Sequence, residues 1–563
     1  MDRAVAIANN DVACLAWNYD KRIPGCLGFA VYRVNVADGS EEPLPAWVGF
    51  PKDTNADWKA GNTARWPVQR LSWRDLTAKR GGTYRYRIVP MAGTPGHLVP
   101  ADAAELKTGA VTLAAERGDI DVYFNRGILS TQALTRAVPK GPSGKPNPDV
   151  LRERIDQPGD PLRKRLSGEL PAALLRLLER AERDGGTCYC ALYELNDTEL
   201  LAKLLGRRDV HIVLSESSGD DETNHAARQA LHEDGADVVD RMLGSGHIGH
   251  NKFVVYVDGK GVPRAVLTGS TNWTSSALCA QSNNAIVIES RELAQAYLDY
   301  WKMIRSEDGK QSSAFRRVNR DSPVDAVVDG GATGIRVWFS PNTDRKTKPA
   351  ESPERPVDLE EVFDAITEAK YGVLFLAFIP GSPSILDAVR SVQLAKPDLF
   401  VRGALTDVPT AETYVDLYHR DGGQADARVV PAVAIPDAFG SWQAELGKLG
   451  HAVIHDKVVV IDPFTPECVV VTGSHNLGYK ASYANDENLV MIRRNVAVAE
   501  AYAAHALDLY DHYRWRYRVQ KAAEAGDYGK AWRSLSDKDD WQDPYFAAGS
   551  QFRREQAFWE RKA

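Results

Sequence analysis

From residue 119 onward the chain is written twice, and no other feature limits its possible folds so tightly. GDIDVYFNRG (118–127) returns as TGIRVWFSPN (333–342), each a strand entering a polar turn. PAALLRLLERAERDGG places Leu174, Leu178 and Ala181 on one helical stripe, and the strand TCYCALYEL follows. The second copy keeps the order, with LEEVFDAITEAKYG as helix and VLFLAFI as strand. Further helix and strand pairs end at DVHIVLS (209–215) and LFVRGALTD (399–407). This alternation predicts α/β units whose sheets are mainly parallel and covered by helices.

Each copy ends in the same polar constellation. GHNKFVVYVDGKG leads to VLTGSTNWTSSALCAQSNN, and IHDKVVVIDPF leads to VVVTGSHNLGYKASYANDEN. His250 matches His455, Lys252 matches Lys457 and Asp258 matches Asp462. Gly269, Ser270 and Asn272 match Gly473, Ser474 and Asn476. Residues two apart on a strand share a face, so each His and Lys converge on one ligand. The apolar runs behind them suit strands buried on both faces. Glycine at the end of the next strand permits close backbone approach, while Ser and Asn supply neutral donors. Two such sets about an approximate two-fold axis surround one pocket with two His, two Lys and two Asn. A phosphodiester fits: the lysines neutralise its non-bridging oxygens, the amides orient them, and two imidazoles across phosphorus divide attack from proton donation.

H-x-K, then Asp, then G-S-x-N, occurring twice, resembles the paired signature of the phospholipase D superfamily over about residues 119–520. The resemblance implies two mixed-sheet α/β halves and in-line attack to give a phosphohistidine, which water activated by the other His hydrolyses. The family's usual order makes His250 the nucleophile and His455 the acid/base. Each imidazole needs an acceptor on its second nitrogen. Glu487 is the candidate in the second half, and Asn283 holds the matching position in the first, where it adds no negative charge. Asp258 and Asp462 are expected to brace the fold. No metal or other cofactor is required, because the lysines supply the positive charge. Lys252 to Asp258 spans one residue more than Lys457 to Asp462, an insertion that a β-bulge would absorb without disturbing His250 or Lys252.

Residues 1–113 differ in texture. DVACLAWNYD, GFAVYRVNV and TYRYRIVPM are β-branched and aromatic runs between turn residues, the pattern of an all-β sandwich. With Trp17, Tyr32, Tyr84 and Tyr86, the segment resembles a fibronectin type III domain, which would either contact a protein or ligand or simply cap its neighbour. The halves are expected at 114–325 and 326–520, joined by a polar linker (306–332). A charged tail (521–563) with Trp532, Trp541, Phe546 and Trp559 is expected to cover the second half. Arg163, Lys164 and Arg165 read as a solvated run or as phosphate contacts.

A net charge of -7, from 76 acidic against 69 basic residues, excludes a global attraction to nucleic acid or anionic lipid. The sequence shows no leader and no apolar stretch long enough to cross a bilayer, so a cytoplasmic location is expected. Six irregularly spaced cysteines do not make a disulfide framework, and Cys188 and Cys190 read as buried thiols. His247 reads as a loop histidine and not a metal ligand, while His475 is placed either at the pocket or behind it. The expected substrate is a phosphodiester, with a phospholipid headgroup ester leading and a cytosolic nuclease as the alternative; hydrolysis and transfer both remain open. A catalytically silent binding protein is the third reading, and the sequence leaves the oligomeric state open.

Overall fold

The computed structural model describes residues 3–53, 59, 61–103, 105–127, 148–217, 222–346, 354–406, 429–432, 454–524, 526 and 534–562. Trp532 and residues 139–147 of the first half's long loop lie outside them.

The N-terminal segment is all β. Arg3–Ala8, Ala13–Asn18 and Ser72–Asp75 form one antiparallel sheet. Gly28–Asn35 and Thr83–Thr94 are the centre of a second, also antiparallel. Trp17 meets Phe29 edge-on at 5.4 Å between ring centres, and the buried Tyr86 hydroxyl donates to Asp75 at 3.0 Å.

Each half is built on one large sheet. In the first, the strand order is Ile120–Phe124, Asn284–Glu289, Pro263–Gly269, Lys252–Val257, Thr187–Leu192, Val210–Ser217, Asp237–Leu243. The second repeats that order with Thr333–Ser340, Glu487–Arg493, Val469–Gly473, Val458–Ile461, Gly372–Ala377, Phe400–Leu405 and Val429–Pro431. Only the last three strands of each series run parallel to one another; the other neighbours are antiparallel. The expectation of mainly parallel sheets is thereby corrected to mixed sheets. The reason is local: VDGKGVP and DPFTPE are too short for a crossover helix, so the strands they join must turn back as hairpins.

The helix Leu170–Asp184 shows why these segments fold as they do. Pro171 opens it, Gly185 closes it in the left-handed conformation (φ 64°), and its N–H reaches the Ala181 carbonyl. Leu174, Leu178 and Ala181 are all buried against the outer face of the first sheet. Each leucine so buried contributes about 1.5–3 kcal/mol. Val357–Glu368 and Ile385–Ala395 cover the second sheet in the same way. The inner faces of both sheets share one core with the helices Arg291–Ser306 and Val496–Glu524. That shared core fixes how the two motif strands face each other.

Two further expectations are corrected. The segment 306–332 is not a plain linker, because it holds the helix Ser313–Asp321 and the strand Val324–Val328, which pairs with Thr333–Ser340. The tail covers more than the second half. Phe558 and Trp559 do pack on Phe400 and Phe464, but Trp541 donates to the Cys26 carbonyl at 2.9 Å and so ties the tail to the N-terminal sheets. Among the described residues no helix is long and apolar enough to cross a membrane. All six cysteines are buried and unpaired, with Cys188 and Cys190 fully covered.

Candidate active site

The two H-x-K segments meet where the halves join. The rings of His250 and His455 lie 6.4 Å apart between centres, at 75° to each other. A phosphorus about 3–3.5 Å from each reactive nitrogen needs a gap of about this size. Lys252 and Lys457 flank the rings, and each ammonium donates back to its own histidine carbonyl, at 2.7 and 2.6 Å. Tyr193 packs edge-on to His250 at 4.9 Å and lies under the Lys252 ammonium; Phe378 does the same for His455 at 5.2 Å and for Lys457. These two aromatics follow matching strands, and sequence reasoning missed both. Their position just beyond TCYCAL and GVLFLA was the available signal.

The acceptors cross between the halves. Glu487 of the second half binds Nδ1 of His250 at 2.8 Å, and Asn283 of the first half binds Nδ1 of His455 at 2.9 Å. Glu487 therefore does not serve the histidine of its own half, which corrects the sequence-based pairing. The physical reason is that each acceptor stands at the start of the strand beside the G-S-x-N turn, and that end of each sheet abuts the other half. Asp486 N–H donates to Ile248 O at 3.0 Å, and His455 N–H to Ser282 O at 3.0 Å, so backbone bonds lock the exchange.

The acceptors are themselves held. Asn283 Nδ2 donates to Ala277 O at 2.9 Å, and Ser270 donates to Asn283 Oδ1 at 2.8 Å, which leaves that oxygen facing His455. Ser474 accepts from the Asn488 backbone N–H at 3.0 Å, as Ser270 does from Asn284 at 3.1 Å. The two serines thus support the frame around the turn. Gly269 (φ 151°) and Gly473 (φ 123°) are required, since a Cβ would meet the Asn284 or Asn488 carbonyl at 2.4 or 2.5 Å.

Asn284 and Asn488, identical in the aligned repeats, were also missed. Asn488 donates to Asn251 at 3.0 Å and accepts from Thr268 and Tyr297; Asn284 donates to Asp456 at 2.7 Å and accepts from Thr472 and Tyr502. Every one of these polar groups is buried, and the bonds run from one half to the other.

Asn272 is buried, and its amide N–H donates to Glu194, a residue not anticipated from sequence. Asn476 is half-buried, and among the described residues the side-chain oxygens of both asparagines are covered without a partner. Asp462 accepts from the backbone N–H groups of Lys370, Tyr371 and Gly372 at 2.7–2.8 Å, while Asp258 holds the Lys260 and Val262 N–H groups at 2.9 Å. Both therefore brace turns. The pairing of Lys252–Val257 with its neighbour slips between Tyr256 and Val257, away from His250 and Lys252.

His247 binds Gln311 and the Ala484 carbonyl, and His475 binds Ser482 behind the pocket. Among the described residues no His, Cys, Asp and Glu cluster could hold a metal. Arg163 corrects the reading of the basic run: it is buried and paired with Asp197 at 2.8 Å and Glu199 at 2.9 Å.

Burial dominates the electrostatics. It pushes His250 down to about 4 against the pull of Glu487, and pushes His455 well below its ordinary value, aided by the charges of Lys457 and Lys252. Burial alone would raise Glu487, yet the charge and hydrogen bond of His250 hold its carboxyl below the usual range. Both lysines are lowered by burial, and Lys457 also by the charge of Lys252.

This is a pocket made by doubled H-x-K strands, and residues 174–305 and 438–508 match the cardiolipin synthase, PLD-like domain family. These two segments belong to the phospholipase D superfamily. Two curated relatives named phospholipase D, from Rickettsia felis and Rickettsia bellii, are each 32% identical, over 130 and 127 residues. The match takes in 22% of this chain and spans 58% of the length of each relative. Among solved structures, the phosphatidylserine synthase of Haemophilus influenzae is 14% identical with a TM-score of 0.39, covering 65% of this chain and 92% of its own. Nuc of Salmonella typhimurium, a phospholipase D family member, is 20% identical with a TM-score of 0.21, covering 32% and 95%.

Proposed function

We propose that this chain is a phospholipase D superfamily phosphodiesterase that cleaves the headgroup ester of a phospholipid through a phosphohistidine. The observation that carries the reading is the pair of imidazoles facing each other at 6.4 Å between two lysines. The relatives named phospholipase D, and the match to a family described by cardiolipin synthase, favour a lipid diester.

Glu487 accepts the Nδ1 proton of His250, which leaves Nε2 with its lone pair toward phosphorus. Attack forms the N–P bond and breaks the P–O bond to the headgroup, whose oxygen takes the Nε2 proton of His455, an imidazole that the bound phosphate anion helps to charge. The phosphorylated imidazole is cationic, and the adjacent Glu487 carboxylate stabilises it. His455 has only the neutral Asn283 amide and gives up its proton more readily. Water then attacks phosphorus, passes its proton to His455 and displaces His250; an alcohol in place of water gives transfer. The phosphate anion favours the charged form of both buried lysines, which stabilise the oxygens on which negative charge develops.

The test is a side-by-side assay of phosphatidylcholine, phosphatidylethanolamine, cardiolipin, single-stranded DNA and RNA, with and without EDTA. Lipid turnover that survives EDTA is the expected result. Turnover of nucleic acid alone would make the protein a nuclease, and loss of activity with EDTA would remove the histidine mechanism.

A further inference from the structure

Lys252 and Lys457 account for the entry of an anion, and Glu487 is committed to His250. Glu194 has no such duty. It directly follows Tyr193, the ring packed on His250, and its carboxylate accepts from the Asn272 amide. Its backbone carbonyl accepts from Trp273 N–H at 3.0 Å, which fixes the residue beside the G-S-x-N turn. Among the described residues the carboxylate makes no second hydrogen bond. Burial raises its pKa, while Lys252 and Lys457 both pull it down, so the carboxylate is felt by both ammoniums. The matching position in the second half, after Phe378, is Ile379, which is 48% exposed. One wall of the pocket therefore carries a charge that the other lacks.

We propose that Glu194 is a specificity-determining residue that suits the pocket to a singly charged phosphodiester and against a doubly charged phosphomonoester. The proposal rests on the phosphate-binding reading given above. Two ammoniums face two carboxylates, Glu194 and Glu487. Asp456 also acts on Lys457, but it is held by Asn284 and His505 on the far side of the strand. With both lysines charged, as a bound anion favours, a diester brings one negative charge to this set, and the monoester left by hydrolysis brings a second. In a buried site of low effective dielectric, the added charge meets the Glu194 carboxylate at close range. Glu194 thus weakens binding of the product and of free phosphate, and speeds their release. Its hydrogen bond to Asn272 holds the repelling group in place.

The experiment measures binding of inorganic phosphate and of dimethyl phosphate to the full chain by calorimetry at about pH 8, where the second phosphate proton has left. Glu194→Gln keeps an acceptor for Asn272 and removes the charge; Glu194→Asp keeps the charge. The expected result is inorganic phosphate bound about tenfold more tightly by the Gln variant, equivalent to about 1.4 kcal/mol, with dimethyl phosphate tightened less than about threefold. The Asp variant should bind both as the parent does. Equal tightening of the two ligands, or none, overturns the role of Glu194; so does phosphate binding too weak to measure in both parent and Gln variant. Lys457→Ala separates the two readings. Phosphate that binds equally well without Lys457 lies elsewhere and ends the phosphate-pocket reading itself, whereas loss of binding there combined with an inert Gln variant overturns Glu194 alone.

Discussion

The two halves carry the same His, Lys and G-S-x-N turn, yet they surround their imidazoles differently. His250 is backed by a buried carboxylate, Glu487, and His455 by a neutral amide, Asn283. Because each acceptor comes from the opposite half, the asymmetry of one half is expressed on the histidine of the other. A site of matched parts is thereby divided into a residue suited to hold positive charge and one suited to part with a proton.

The strongest way to break this comparison is to remove the rings. His250→Ala and His455→Ala should each lower turnover of bis(p-nitrophenyl) phosphate by about a thousandfold or more, with the circular dichroism spectrum unchanged. Acid quenching of the parent with labelled substrate should trap the adduct on His250; an adduct on His455 would reverse the division of roles.

Glu487→Gln makes the two acceptors alike, and kcat/KM should fall about 10- to 100-fold. The carboxylate raises the pKa of His250, so its removal lowers that pKa and the acid limb of the pH profile moves to lower pH. A limb that stays in place would mean that His250 does not set it. Asn283→Asp is the opposite change. A carboxylate beside His455 raises its pKa, so the proton donor stays charged to higher pH and the alkaline limb should rise by about one unit. An unmoved profile there would leave His455 without an acid role.

The smallest effect is on stability. Asp462→Ala leaves three backbone N–H groups without their acceptor and should cost about 2 kcal/mol in urea denaturation. Asp258→Ala, on an exposed turn, should cost less, and both proteins should keep their activity once folded. A larger loss at Asp258 would show that matched motif positions do not carry matched loads.

Local pattern explains what could be read in advance. The helix Leu170–Asp184 and the strands around it were legible because the alternation and the 3.6-residue stripe depend on neighbours in sequence. The His and Lys pairs were legible because two residues apart on any strand means one face. Arg163 was misread, since only folding shows that Asp197 and Glu199 reach it. The segment 306–332 is polar because its helix and edge strand lie at the surface, and its Gly and Ser content masked both. Glu194 had no counterpart in the second half, where Ile379 stands, so comparing the repeats could not reveal it.

The sequence by itself determined two like units, the succession of their helices and strands along the chain and the placing of each His and Lys on one face, because each follows from spacing along one segment. The tertiary structure alone decided which acceptor meets which imidazole and what shares the pocket with the lysines. The two acceptor contacts join positions more than 150 residues apart, and they exist only because the shared core of Arg291–Ser306 and Val496–Glu524 sets the two sheets against each other.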